Sequence, residues 1–171
     1  SVPDPTDWSP APLGLLDLNT LATADGRGLR INTAGGVRDF VAGVDLGATT
    51  PGHRPGELEI DAETYRRWFE QMGELGIRSV RIYTIHRPAF YEELARYNEA
   101  HPTDPLYLVQ GVYLPADLDP DSSTFLDPAV DGPFEAELAD AVRAVHGELT
   151  RPRMPGRASG TYTTDVSRWL L

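Results

Sequence analysis

The sequence contains no cysteine in its 171 residues, and this absence excludes disulfide bonds, thiolate catalysis and any metal site with a cysteine ligand. Long apolar runs are also missing, since the longest span a few residues and a membrane-spanning helix needs roughly 20. Basic residues form no stripe, and the net charge is −11. Because binding a polyanion requires clustered Lys and Arg, nucleic acid is disfavoured as a partner.

Motifs for cofactors and metals are equally scarce. The first buried strand is followed by Gly47-Ala48-Thr49-Thr50, which is neither a GxGxxG turn nor a Walker sequence, so nucleotide binding has no support. No HExxH or GxSxG is present, and the four histidines show no ligand spacing. We therefore expect no cofactor and no metal.

What remains is the composition of a globular domain, with 40% apolar and 24% charged residues. Residues 1–28 read as a linker or arm with a lead-in, because the segment from Ser1 to Pro12 holds four prolines. Residues 29–171 read as the folded domain, which opens with a hairpin made by Leu29–Ile31 and Val37–Phe40. The apolar end Trp169-Leu170-Leu171 and the start at Ser1 predict that the segment is cut from a longer chain.

Strand and helix patterns alternate from residue 40 onward. Apolar runs predict buried strands over Phe40–Gly47, Ser79–His86 and Leu106–Leu114. Three helices are predicted between and after them, the first capped by Asp61 and closed by Gly76. Regular alternation of this kind predicts an α/β fold with a parallel sheet.

The predicted helices carry apolar stripes at spacings of three and four residues. Acidic pairs on them, Glu92-Glu93 and Glu135 with Glu137, are interpreted as solvated faces. The stretches Ala116–Pro128 and Thr150–Thr164 are predicted to be long loops, and Asp165 to cap a final short helix. The stripe residues are Tyr65, Trp68, Phe69, Met72 and Leu75 in the first helix, Phe90, Leu94 and Tyr97 in the second, and Phe134, Leu138, Ala141, Val142 and Val145 in the third.

Candidate binding residues cluster at predicted strand ends. On the second strand, alternation places Arg81 and Tyr83 on one face and Val80 and Ile82 on the other. A charge on an inward face needs a partner, and Asp45 is the candidate, whether it serves a site or only holds the core together. Hydroxyl, amide, imidazole and aromatic groups together suit a saccharide. The candidate substrate-binding residues are Asp45, Arg81, Tyr83, His86, Gln110 and Tyr113.

The sequence resembles a known family in two places. Phe40-Val41-Ala42-Gly43-Val44-Asp45-Leu46-Gly47 resembles the F-x-x-G-V-N first strand of glycoside hydrolase family 2 barrels. The stretch from Met72 to Tyr83, with Leu75-Gly76 and Val80-Arg81, resembles their M-K-x-L-G-x-N-x-V-R helix and second strand. It is similar also to barrel glucanosyltransferases of the yeast cell wall. The resemblance covers roughly Leu29 to Tyr113 and is specific for a clan of retaining enzymes, not for one substrate.

The resemblance implies the N-terminal part of a (β/α)8 TIM barrel, about three βα units after a short hairpin, truncated before strand four. It implies retaining chemistry with two glutamates, one in an Asn-Glu pair after strand four and one after strand seven, and places Arg81 beside the nucleophile. The one Asn-Glu here, Asn98-Glu99, falls on a predicted helix, so we expect no catalytic residue in this chain. Asp45 stands where relatives often hold Asn.

We therefore expect a fragment of a retaining glycoside hydrolase or transglycosidase acting on a β-linked saccharide, inactive by itself. Its expected partners are carbohydrate and either the remainder of the barrel or a second copy, with no nucleic acid and no membrane span; an extracellular or cell-surface location is favoured. One alternative is a non-catalytic carbohydrate-binding or scaffolding module. Another is an open flavodoxin-like domain with an unrelated ligand.

Overall fold

The computed structural model describes residues 11–13, 18–20, 22–24, 28–33, 36–38, 40–54, 57–113 and 128–171. These residues form a mixed α/β structure with three α-helices and a parallel three-stranded sheet. The strands are β1 (Ala11–Leu13), β2 (Leu18–Thr20), β3 (Ala22–Ala24), β4 (Leu29–Thr33), β5 (Gly36–Arg38), β6 (Gly43–Asp45), β7 (Ser79–Ile82), β8 (Tyr107–Gln110), β9 (Leu149–Arg151) and β10 (Gly160–Tyr162). The helices are α1 (Ala62–Glu74), α2 (Pro88–Ala100) and α3 (Pro128–Val145).

The N-terminal strands are all antiparallel. β4 pairs with β5, with Asn32 opposite Val37, which confirms the predicted hairpin. β3 adds to the same sheet beside β4, while β1 and β2 form a separate pair. Residues 1–28, read from the sequence as an arm and lead-in, therefore contain three short strands; residues 1–10 and the Asp25-Gly26 turn lie outside the described residues.

The parallel sheet runs in chain order, β6-β7-β8. Val44 lies opposite Val80, and Val80 lies opposite Leu108. A fourth parallel position follows at the free edge of β8, where Leu170 forms a bridge with Leu108 and the Leu171 amide donates to the Leu108 carbonyl at 2.8 Å. Among the described residues, the sheet therefore follows chain order from β6 through β8 to Leu170.

Helix α1 begins and ends where the sequence predicts. The Asp61 carboxylate accepts a hydrogen bond from the Thr64 amide at 2.8 Å, satisfying one of the free donors of the first turn. This hydrogen bond from Thr64 lowers the pKa of Asp61. Gly76 follows the helix at φ 76°, the left-handed conformation that closes many helices. Helix α2 starts at Pro88, and Ser167–Trp169 form the predicted short helix after Asp165, here a 3₁₀ turn.

Both α1 and α2 cover one face of the parallel sheet. The buried core joins their inward residues to Val80 and Ile82, both 0% exposed, and to Leu108. Crossovers between parallel strands of one sheet are right-handed in about 98% of cases, and two such crossovers in chain order place both helices on the same face. The other face carries Asp45 and Arg81, whose side chains are 63% and 51% exposed. This confirms the predicted alternation along β7.

Two details of the sequence interpretation are wrong, and a third is not tested by the described residues. Leu75 ends α1 instead of extending its apolar stripe and is 76% exposed, and Leu138 and Val142 of α3 are also exposed. The stretch Thr150–Thr164 contains the hairpin strands β9 and β10, not only a loop. The predicted loop Ala116–Pro128 lies outside the described residues except at Pro128.

The acidic pairs are not simply solvated. Glu93 and Glu137 are 5% and 7% exposed. Glu93 accepts two hydrogen bonds from Arg66 at 2.9 and 3.0 Å, which join α2 to α1. Glu137 pairs with Arg151 and with Arg157, which join α3 to β9 and to the connection that follows β9. A buried carboxylate needs this compensation. Within the described residues, no helix is long and apolar enough to cross a membrane.

Candidate functional site

The carboxyl ends of β6 and β7 place an ion pair on the open face of the sheet. Asp45 and Arg81 are register partners, and Asp45 Oδ1 accepts a hydrogen bond from Arg81 Nη1 at 3.2 Å. Because both side chains are more than half exposed, the pair itself contributes only about 0.2–1 kcal/mol to stability. The remaining guanidinium N–H groups of Arg81 are available for a ligand.

Aromatic rings continue this face from the pair toward β8. The Arg81 guanidinium lies 5.9 Å from the centroid of the Tyr83 ring, and the rings of Tyr83 and Tyr113 lie 5.9 Å apart. Tyr113 is 58% exposed. The Tyr83 hydroxyl reaches back to the end of β6, where a Cβ added to Gly47 would lie 3.3 Å from it. Four of the six predicted site residues therefore form one continuous surface.

Gly111 allows β8 to approach β7 closely at this end. Its amide donates to the Ile82 carbonyl at 2.7 Å, and a Cβ added there would lie only 2.9 Å from the Ile82 oxygen. A larger residue would push the strand ends apart. Glycine at this position thus fixes where Tyr113 lies relative to Tyr83.

His86 lies on the other side of the sheet, beneath the helices. It is 1% exposed, its Nδ1 lies 2.9 Å from the Tyr65 hydroxyl, and its ring meets Phe90 edge-on at 5.0 Å. Nε2 has no hydrogen-bond partner among the described residues. Burial lowers the pKa of His86 to about 4, so the imidazole is neutral at pH 7. The His86 side chain therefore packs against α1 and α2 after the end of β7 and does not face the open side of the sheet.

Gln110 also points toward the helices. Its register partner is Ile82, which belongs to the buried face. The Gln110 side chain accepts from the Tyr91 hydroxyl at 2.7 Å and donates to the Gly111 carbonyl at 2.8 Å. With its amide occupied in this way, Gln110 positions the end of β8.

The open face combines a guanidinium, a carboxylate and two phenol rings. Apolar ring faces stack on sugar rings while the polar groups hold hydroxyls. At the three strand ends, Asp45 is the one carboxylate among the residues that the structure describes. In those same ranges no group of three or more His, Asp or Glu side chains is arranged to hold a metal ion. A reaction that needs paired carboxylates would therefore require groups from outside this surface.

Sequence reasoning missed the buried carboxylates and the arginines around them. The missed signal was periodicity: Glu137 precedes the buried Ala141 and Ala144 by four and seven residues, and Glu93 lies four before the buried Tyr97. It also missed a cleft lined by Arg87 and by residues 153–159, because most of this segment had been interpreted as a loop.

Comparison of the chain with protein-family models, with curated proteins and with solved structures finds no match.

Proposed function

We propose that this chain forms the first βα units of a (β/α)8 barrel of the retaining glycoside hydrolase kind, and that the open face of its parallel sheet binds a β-linked saccharide. The observation that carries the proposal is the difference between the two faces of the parallel sheet. Strands in chain order carry helices on one face, and the other face presents Asp45, Arg81, Tyr83 and Tyr113 near strand carboxyl ends. Barrel enzymes bind substrates at that end.

The edge of the sheet supports the same proposal. After α3 and the β9–β10 hairpin, the chain returns to the edge of β8, where Leu170 occupies a fourth parallel position. In a barrel the fourth strand lies beside the third, and the helices form an outer ring. A doubly wound sheet places helices on both faces once its strand order reverses, and the described positions, β6, β7, β8 and Leu170, follow chain order.

Within this proposal each residue has a role. Arg81 donates to substrate oxygens or to a nearby carboxylate, and Asp45 holds its guanidinium in place at 3.2 Å. Tyr83 and Tyr113 stack on sugar rings. Retaining hydrolysis needs two carboxyl groups about 5–5.5 Å apart, and the resemblance implies that both are glutamates on later strands. This segment accordingly supplies binding and not the catalytic pair.

The test reads the coding sequence beyond Leu171 and assays both lengths of chain on aryl β-glycosides. We expect an apolar strand that ends in Asn-Glu within about 30 codons, turnover by the longer protein and none by the 171-residue chain. Replacing Glu99, which is exposed on α2, with Gln should leave the longer protein unchanged.

Two results would contradict the proposal that the longer protein is a retaining glycosidase with its catalytic pair on later strands. A stop codon directly after Leu171 would favour a carbohydrate-binding module without catalysis. Hydrolysis by the 171-residue chain that disappears in Glu99→Gln would overturn the assignment of roles.

A further inference from the structure

A second concave region is formed by connections between strands and helices. It is a cleft of about 830 Å³, lined by residues 57–59 of the β6–α1 connection, by Arg87 before α2, and by residues 153–159 between β9 and β10. Small-molecule sites occupy about 300–1,000 Å³. Two of its walls belong to connections that leave the carboxyl ends of β6 and β7, the end at which Asp45 and Tyr83 lie.

The walls of the cleft are held by direct contacts. Arg87 Nη1 donates to the Leu58 carbonyl at 3.3 Å, which joins the first wall to the second. The Tyr162 hydroxyl donates to the His86 carbonyl at 2.8 Å, which docks β10 on the segment before α2. Gly160 allows this approach, because a Cβ there would lie 2.9 Å from Pro88 Cγ. The cleft is thus formed before any ligand binds.

Charges of both signs line the cleft without neutralising each other. Three arginines, Arg87, Arg153 and Arg157, contribute from two walls, and Glu57 and Glu59 from the third. Among the described residues no ion pair joins these arginines to these glutamates.

Two of these charges are already occupied, since Arg157 pairs with Glu137 at 3.0 Å and Glu57 pairs with His53 at 3.3 Å. The side chains of Arg153 and Glu59 have no hydrogen-bond or ion-pair partner in the described part of the chain. Exposed charges of both signs around one cleft suit a ligand that carries both a charge and hydroxyl groups.

We propose that this cleft binds an acidic saccharide, that is, a sugar unit bearing a carboxylate. Arg153, with Arg87, holds the carboxylate, because the planar guanidinium fork matches carboxylate geometry. Glu59 accepts hydrogen bonds from sugar hydroxyls, and Leu58, Met154 and Pro155 supply apolar contact. In a chain of net charge −11, Arg87 and Arg153, the two cleft arginines without an ion pair in the described part of the chain, provide the local attraction that an anion needs. The inference rests on the proposed function for its saccharide chemistry.

The test titrates the 171-residue chain by calorimetry with a uronic acid trisaccharide, its neutral hexose counterpart, and citrate as a simple carboxylate. We expect the uronide to bind at least about ten times more tightly than the neutral sugar. Arg153→Gln should remove that advantage. Arg67→Gln, an exposed arginine on α1 without a hydrogen bond or ion pair in the described residues, is the matched control and should retain it. Both positions are exposed, so circular dichroism and melting curves should show unchanged folding.

A second variant separates a saccharide from a simple anion. Glu59→Ala should weaken uronide binding, because hydroxyl contacts are lost, and should leave citrate unchanged or strengthen it, because a negative charge is removed. Citrate that binds as tightly as the uronide, or an uronide advantage that survives Arg153→Gln, would overturn the inference. If only this inference is wrong, the neutral sugar should still bind, and Arg81→Lys should still weaken that binding. If the proposed function is wrong, neither sugar should bind.

Discussion

The two faces of the parallel sheet differ in nearly every physical property. The helix-covered face holds Val80, Ile82 and Leu108, each 0% exposed, against the aromatic rings of α1 and α2. The open face holds Asp45 and Arg81, more than half exposed, with two tyrosines beside them. Burial on the covered face explains why the domain folds, and the exposed charges and rings of the other face are the groups to which we assign the proposed binding role. One alternating strand, β7, contributes to both faces.

Asp45–Arg81 and Glu137–Arg151 extend the comparison to ion pairs. The second pair is buried, with side chains 8% and 4% exposed, and removal of Glu137 would leave the buried Arg151 with Asp140, at 3.6 Å, as its remaining carboxylate among the described residues. The first is exposed, so losing it has little effect on folding. The exposed pair can therefore change without loss of the fold, as its proposed binding role requires.

The largest expected difference is in the free energy of unfolding, between Phe90→Ala on the covered face and Phe40→Ala. Phe90 is 0% exposed, and its ring lies 5.4 Å from that of Tyr65 and 5.6 Å from that of Phe69. Phe90→Ala should lower the free energy of unfolding by about 3–5 kcal/mol, because it leaves a cavity. Phe40 borders the open face and is 82% exposed. Phe40→Ala should therefore change the free energy of unfolding by less than about 0.5 kcal/mol. Urea denaturation measures both, and equal effects would contradict the division between the faces.

A smaller effect depends on pH and arises on the covered side. Because burial lowers the folded-state pKa of His86 to about 4, the unfolded chain, with a pKa near 6.5, binds the proton more strongly. Stability should therefore be complete above about pH 6.5 and fall as pH decreases toward 4, by about 2 kcal/mol between pH 7 and pH 5.

Urea titrations at these two pH values measure the decrease. His86→Gln should lose this slope whatever its absolute stability. A slope that persists unchanged in the variant would show that other groups cause it.

Local signals predicted much of the fold. Asp61 and Gly76 bound α1 because capping and left-handed glycine are properties of a few adjacent residues. The alternation of Val80 and Arg81 predicted which face is covered, and the Asp45–Arg81 contact followed from parallel register.

Tertiary contacts decided what the sequence could not. Gln110 and His86 share strand ends with Tyr83, yet they face the helices, because hydrogen bonds to Tyr91 and Tyr65 satisfy them there. Glu137 is buried because it pairs with Arg151 and Arg157, which belong to the β9–β10 hairpin that follows α3 in the sequence. The cleft beside Arg153 likewise depends on how β10 docks near Pro88, a contact between residues about 70 positions apart along the chain.

The most direct test of the central claim is the binding of a β-linked oligosaccharide to the 171-residue chain and to two variants, measured by calorimetry. Arg81→Lys should weaken binding by about ten-fold or more, since lysine cannot reproduce the guanidinium fork, while urea denaturation changes by less than about 1 kcal/mol. Glu99→Gln should bind like the unaltered chain. Binding that is absent, or unaffected by Arg81→Lys, would contradict the assignment of the open face as a saccharide site.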